Sequence, residues 1–288
     1  MESLALVYLG LAVLGPLFAL AQRLRPAAEG APSVWARGRL VDWSYWVITP
    51  LVSGLISRAL VVALGALVAM ALGATIAHAD DVFGFFAARS LLRALPEGAQ
   101  LLVCLALVDL LSYASHRLRH HALFFPLHAI HHSAEELDWL AAARMHPLDE
   151  IVDNVAITLP ILFLGPAPWV LLCLGPITLL YTLFTHAAIE LPLGPLRFVI
   201  VGPAFHRVHH AADVPGVNYA GMIALWDVLF GTFRDPVTRE AGRDGPSSMG
   251  AKPAPLRFGL GEEHVPPSVR AHLVAPVMRF LLGDRASR

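Results

Sequence analysis

The residues of this chain best suited to chemistry are its histidines. Fourteen occur among 288 residues, and eleven of them lie between His116 and His210. They fall into groups: His116-Arg-Leu-Arg-His120, His128-Ala-Ile-His131-His132, the isolated His186, and His206-Arg-Val-His209-His210. Residues three or four apart share one face of a helix, with Cβ atoms roughly 5–6 Å apart. Two imidazoles so placed can converge on one metal ion through bonds of about 2.0–2.1 Å. In His-x-x-His-His the adjacent pair diverges by about 100° around the helix, so one triplet can serve two neighbouring ions. Two triplets and a His-x-x-x-His pair supply enough ligands for a dinuclear site. By chance a single such triplet is expected about 0.03 times at this histidine content; the chain has two.

Other candidates are weaker. His186 follows an apolar run and is read as a further ligand. His146, in Met-His-Pro, and Asp109, inside an apolar helix, are additional candidates. An ionisable residue at membrane depth is costly and marks a functional site by default. His121 points away from the His116/His120 face and is left out; His78, His264 and His272 are expected on the surface. Arg117, Arg119 and Arg207 flank ligands and either anchor the membrane boundary or hold anionic head groups. Glu135, Glu136 and Asp138 are candidates to orient imidazoles from behind. Cys104 and Cys173 sit in apolar runs and read as small hydrophobes.

These residues must be held by membrane helices. The chain is 56% hydrophobic and 15% charged, against about 25% charged in a soluble domain. Its net charge of -1 provides no basic footprint for nucleic acid. Ser3–Leu20 would rise roughly 27 Å as a helix, close to the hydrocarbon thickness, and is read as a retained membrane helix. Arg23, Arg25, Arg37 and Arg39 follow it. Trp43, Tyr45 and Trp46 resemble an interfacial belt. The apolar stretch Val47–Ala77 contains Pro50 and is read as a broken or interfacial helix followed by one crossing over Ala59–Ala77. Gln100–Ser115 is the next helix. Val155–Leu164 and Trp169–His186 flank Gly165-Pro-Ala-Pro168 and form a hairpin whose arms look short for full spans. The expectation is an all-α integral membrane protein with a cytoplasm-facing, histidine-rich, metal-binding helical cap. Residues 1–95 would hold N-terminal membrane helices, 96–235 the catalytic domain and 236–288 a peripheral tail. Lys252 is the only lysine, and the Ala, Gly, Pro and Leu content fits a GC-rich bacterial genome, so a bacterial inner membrane is expected.

At the level of motifs the chain resembles the fatty acid hydroxylase/sterol desaturase superfamily. The likeness rests on Asp109-Leu-Leu-Ser-Tyr-Ala-Ser-His116-Arg117, His128-Ala-Ile-His-His-Ser133, Arg144-Met-His-Pro147, Phe205-His-Arg-Val-His-His210, Asn218-Tyr219 and Leu225-Trp-Asp-Val-Leu-Phe-Gly-Thr232. It covers roughly Val103–Arg234. The resemblance implies a membrane oxygenase with two non-haem iron ions. It also implies His116, His120, His128, His131, His132, His206, His209 and His210 as ligands, with His186 as a further one.

All-imidazole ligation suits iron, copper, zinc or nickel and does not choose among them. Iron is favoured because hydroxylating or desaturating a lipid chain requires a redox metal and O₂. A histidine-ligated zinc hydrolase would instead use metal-bound hydroxide. A metal transporter would place its ligands near mid-membrane, whereas these triplets lie outside the apolar spans. No Gly-x-Gly-x-x-Gly fingerprint is present, so a separate electron-donor protein is expected beside the lipid substrate, O₂ and the bilayer. By the positive-inside bias, Arg23 and Arg117 face the cytoplasm and Asp80 the other side. Cysteine-accessibility labelling tests this: periplasmic labelling at position 117 would overturn the topology.

Overall fold

A computed structural model describes residues 2–28, 30, 32–35, 39–214, 216–237, 256–260 and 268–282. Among them the chain is helical, with one isolated β-bridge, between Pro26 and Ile189. Eleven α-helices follow in order: α1 (Glu2–Leu24), α2 (Leu40–Ile48), α3 (Gly54–Ala71), α4 (Ala79–Ala88), α5 (Glu97–Arg119), α6 (Phe125–His132), α7 (Pro147–Leu164), α8 (Pro168–His186), α9 (Pro203–His209), α10 (Leu225–Phe230) and α11 (Val269–Leu282). A π-helical turn, Thr49–Ser53, joins α2 to α3, and 3-10 turns occupy Trp139–Ala143 and Gly194–Phe198.

Proline and glycine punctuate these helices as local chemistry requires. Pro147, Pro168 and Pro203 open α7, α8 and α9, where the missing N–H would have had no partner in any case. Gly165 ends α7 in the left-handed region at φ 64° and ψ 48°. A Cβ there would lie 2.1 Å from the Phe86 carbonyl oxygen, so α7 and α4 approach at a point that only glycine permits.

Three segments among the described residues are long and apolar enough to cross a membrane: Leu40–Ala71, Glu97–Arg119 and Pro168–His186. The first differs from expectation. The helix continues through Pro50 by widening into the π turn and stops at Ala71 rather than Ala77. Pro50 lacks the N–H that an α-helical ladder needs, and the looser turn absorbs the defect. The hairpin differs too. Its second arm is long enough to span, and its first begins at Pro147 rather than Val155, with Asp149, Glu150 and Asp153 in its opening turns.

Among the described residues the long helical columns, α1, α2 with α3, α5, α7 and α8, alternate in direction along the chain. The end of α1 is tied to the end of α8, where Ala27 N–H donates to the Ala188 carbonyl at 3.0 Å and Glu190 N–H to the Arg25 carbonyl at 2.9 Å. At the other end, Leu91 N–H donates to the Leu164 carbonyl at 3.0 Å and Ala167 N–H to Gln100 Oε1 at 2.9 Å. The C-termini of α1, α5 and α8 therefore share the histidine-bearing end, while α4 packs at the opposite end. Apolar layers bind the columns: Val61, Val82, Phe86 and Leu162 between α3, α4 and α7, and Cys104, Val108, Ile161 and Val170 between α5, α7 and α8. Cys104 is buried and Cys173 partly so, both as free thiols.

The described part of the tail includes a helix. α11 packs on the cap, with the Leu273 carbonyl 3.1 Å from His146 Nε2 and His272 Nδ1 3.3 Å from Tyr45 Oη. His272, expected at the surface, is 1% exposed; its partner Tyr45 is 227 positions away, beyond the reach of any local pattern. His78 is exposed as expected, His121, left out of the ligand set, is exposed too, and His264 lies outside the described residues.

Replacing Gly165 by Ala should destabilise the bundle by more than about 1–2 kcal/mol, the cost of the left-handed conformation alone. Thermal unfolding in detergent reads this out; an unchanged midpoint would contradict the close approach of α7 to α4.

Candidate metal centre

Four helix C-termini converge on one buried volume. His116 lies in the last turn of α5 and His120 at its C-cap; His131 and His132 close α6; His186 is the last residue of α8; His209 ends α9 and His210 caps it. The partial negative charge at a helix C-terminus favours a cation. All nine imidazoles named by the motifs are buried, none more than 8% exposed.

Their ring nitrogens form two groups, each with its ligand atoms within 4.8 Å of one another: His116, His120, His128, His132 and His209 in one, and His131, His186, His206 and His210 in the other. Each triplet is divided between the groups, with His131 parted from His132 and His209 from His210. Helical geometry requires this, because neighbouring side chains point about 100° apart.

The outer nitrogens fix the tautomers. Nδ1 of His116 donates to the Tyr219 carbonyl at 2.8 Å, that of His131 to Arg144 at 3.1 Å, that of His186 to Thr182 at 2.8 Å and that of His209 to Val217 at 2.7 Å. A carbonyl only accepts, so these protons sit on Nδ1 and each Nε2 turns a lone pair inward. His128 Nδ1 lies 2.9 Å from Asp149 Oδ2.

The inward atoms then present a physical conflict. Nε2 of His131 and of His186 lie 3.4 Å apart, although both carry lone pairs. Nε2 of His206 is 3.2 Å from that of His186 and 3.1 Å from that of His210, and Nε2 of His209 is 3.2 Å from that of His132. Nε2 of His116 and of His128 is buried with no hydrogen-bond partner. An added proton does not relieve the His131–His186 contact, because burial, then neighbouring charge, holds His131 well below the ordinary histidine range; the same burial lowers His128, His132, His206 and His210, and brings His209 down to about 4. A metal ion does relieve it. Two nitrogens bonded at about 2.1 Å and subtending about 90–110° lie about 3.0–3.4 Å apart. The residues present fit a pair of metal ions.

Asp109 and His146 are not brought into either group. Asp109 accepts from Met222 N–H and Ile223 N–H at 2.7 Å each and from Trp226 Nε1 at 3.1 Å. Its charge is satisfied by the loop that carries the Tyr219 carbonyl, so it positions that loop. Asp227 assists from α10, accepting from Tyr219 N–H and Ala220 N–H at 2.8 Å each. Asn218, at φ 57°, ties the same loop to the Phe205 and Arg234 carbonyls. His146 caps α7, its Nδ1 accepting from Leu148 N–H at 3.2 Å while Nε2 meets Leu273.

The arginines and acids beside the motifs are likewise engaged. Arg119 pairs with Asp149 and Asp153 at 3.2 Å each; Arg207 donates to the Leu137 carbonyl at 2.8 Å and lies over the Phe258 ring; Arg117 donates to Tyr113 Oη at 3.2 Å. Asp138 caps the 139–143 turn and pairs with Arg39, touching no imidazole. The carboxylate behind a ligand is Asp149. The sequence signal for it was the Arg144-Met-His-Pro147 segment, whose proline starts the helix that carries Asp149.

A buried polyhistidine centre at the end of a membrane-type helical bundle defines the class. Residues 101–232 match the model of the fatty acid hydroxylase family. The chain is 31% identical over 144 residues to an ornithine lipid hydroxylase of Rhizobium tropici, covering 49% of this chain and 44% of the relative. It is 32% identical over 129 residues to human (Homo sapiens) alkylglycerol monooxygenase, covering 44% and 28% of the two chains. To methylsterol monooxygenase 1 of Rattus norvegicus it is 29% identical over 137 residues, covering 46% of each. The matches thus span less than half the length of these relatives. No solved structure matches the chain.

Asp149→Asn should weaken metal binding about 10–100-fold, the usual cost of losing a partner behind a ligating imidazole. Metal competition in detergent measures it; wild-type affinity in the folded variant would remove Asp149 from the site.

Proposed function

We propose that this protein is a membrane-bound di-iron oxygenase that hydroxylates or desaturates a lipid, using O₂ and electrons from a separate donor. The observation that carries this reading is the pair of buried histidine groups whose inward nitrogens approach to 3.1–3.4 Å, with lone pairs facing at His131 and His186. His116, His120, His128, His132 and His209 would hold one ion, and His131, His186, His206 and His210 the other. Bound there, iron would supply the redox chemistry that O₂ needs to attack an unactivated C–H bond.

The chain's own contribution is positional. Four backbone carbonyls and Asp149 hold five imidazoles in the tautomer that binds metal. Burial keeps the imidazoles neutral and water away from the reacting atoms. The relatives' names specify an ornithine lipid, an alkylglycerol and a methylsterol. These share a long or fused hydrocarbon body attached to a polar group, and we assign the substrate to that class of membrane lipid. The metal end of the bundle carries Arg23 and Arg117, which supports its placement on the cytoplasmic side of a bacterial inner membrane. A zinc hydrolase could use the same ligands, but the hydroxylase and monooxygenase relatives favour redox chemistry.

Protein purified under reducing, iron-replete conditions should hold about two metal ions per chain, and His131→Ala or His209→Ala should abolish O₂-dependent lipid oxidation. His121→Ala, at an exposed position, should leave it near normal. Metal analysis and lipid profiling of cells expressing each variant are the measurements. Full activity in a folded His209→Ala protein would contradict the reading.

A further inference from the structure

Outside residues 101–232, the start of α2 is built against the segment that orients a ligand of the metal centre. Asp42, in its first turn, is fully buried. Its Oδ1 accepts from Arg144 Nε at 2.7 Å and lies 2.5 Å from Arg144 Nη2. Arg144 Nη1 donates to Ser133 Oγ at 3.2 Å, and Ser133 follows the ligand pair His131-His132 directly. The Arg144 carbonyl is the acceptor that holds His131 Nδ1. One arginine therefore grips the end of α6 with its side chain and orients a ligand with its main chain.

The surrounding contacts hold the same segment. Arg39 pairs with Asp42 Oδ2 at 3.2 Å and with Asp138, which caps the 139–143 turn, and it donates to the Glu136 carbonyl at 2.8 Å. Trp46 Nε1 donates to the Leu140 carbonyl at 2.9 Å and Thr49 Oγ1 to the Ala143 carbonyl at 3.1 Å. Apart from the Arg39–Asp42 pair, these contacts run from residues 39–49 to residues 136–144, and Asp42 touches no ligand itself.

We propose that Asp42, through Arg144, is a positioning residue for the metal centre: the ion pair fixes the carbonyl that aims His131, and so sets the affinity of the group His131, His186, His206 and His210 for its ion. The inference rests on the metal reading above. Its physical basis is that a buried guanidinium deprived of its carboxylate must move toward another partner. The main chain of Arg144 and the imidazole hydrogen-bonded to it then lose their fixed geometry. Asp42 lies outside the family domain, so α2 becomes part of the site rather than only an anchor.

The test is a Co²⁺ titration of the full-length, metal-depleted protein in detergent, read by the ligand-field absorption bands, with thermal unfolding of the metal-free protein alongside. Wild type, Asp42→Asn, Arg144→Lys and Asp235→Asn are compared; the last breaks the Arg197–Asp235 pair, which holds no ligand-orienting carbonyl. Asp42→Asn should bind its weaker Co²⁺ at least about tenfold less tightly and show altered bands, while Asp235→Asn binds as wild type. Arg144→Lys keeps the charge facing Asp42 and loses the two-point grip, so it should fall between them, at about threefold or more. A folded Asp42→Asn with wild-type affinity and bands overturns the inference whatever its thermal midpoint. If Asp42→Asn does not fold, Arg144→Lys decides, and wild-type binding by that variant overturns it. If wild type takes up no Co²⁺, the metal reading itself fails.

Discussion

Two neutral imidazoles that both turn lone pairs toward the same point repel each other, and here nine are brought together in the dry end of a helical bundle. The Nε2 atoms of His131 and His186 face one another at 3.4 Å while their Nδ1 protons are committed to carbonyls. Much of the structure serves this constraint. Four helices end at the cluster, presenting their negative termini to the cation that would reconcile the imidazoles. Behind the rings, carbonyls of residues 144, 182, 217 and 219 fix the tautomers, and those of 144 and 219 are themselves held from further out.

Those outer supports reach across the chain. Asp109 on α5 and Asp227 on α10 hold the loop of Tyr219; Arg144 holds its own carbonyl by reaching Ser133 and Asp42; Asp149 is steadied by Arg119. Buried charges in such a network are costly unless paired, and removing one partner strands the other. Polar contacts to the membrane columns hold the cap of short helices α6, α9 and α10, together with its own apolar cluster around Phe205 and Tyr219.

What the sequence made legible follows from periodicity. His-x-x-His-His on a helix must split its adjacent pair, so a two-group arrangement could be read before any coordinates. The same holds for the apolar columns, for the Gly165 break and for the motif set from Asp109 to Thr232, which lies inside the matched segment 101–232. The polar supports were not legible in this way. Asp109 looked like a candidate ligand because it is an acid in an apolar helix, and only the fold shows its charge spent on amides 113 and 114 positions away. Asp138 was read as an orienting acid, but its partner is Arg39, and Asp149 takes that role instead. His272 was assigned to the surface because nothing local reveals that α11 folds back over Tyr45. Contacts between distant segments leave no period in the sequence.

The central claim is that all-imidazole coordination holds two iron ions. Iron K-edge X-ray absorption of the purified, iron-loaded protein tests it most directly. The account predicts a first shell of nitrogen at about 2.1 Å with strong imidazole multiple scattering and no sulfur. A first shell with sulfur, or one lacking the imidazole signature, would contradict it.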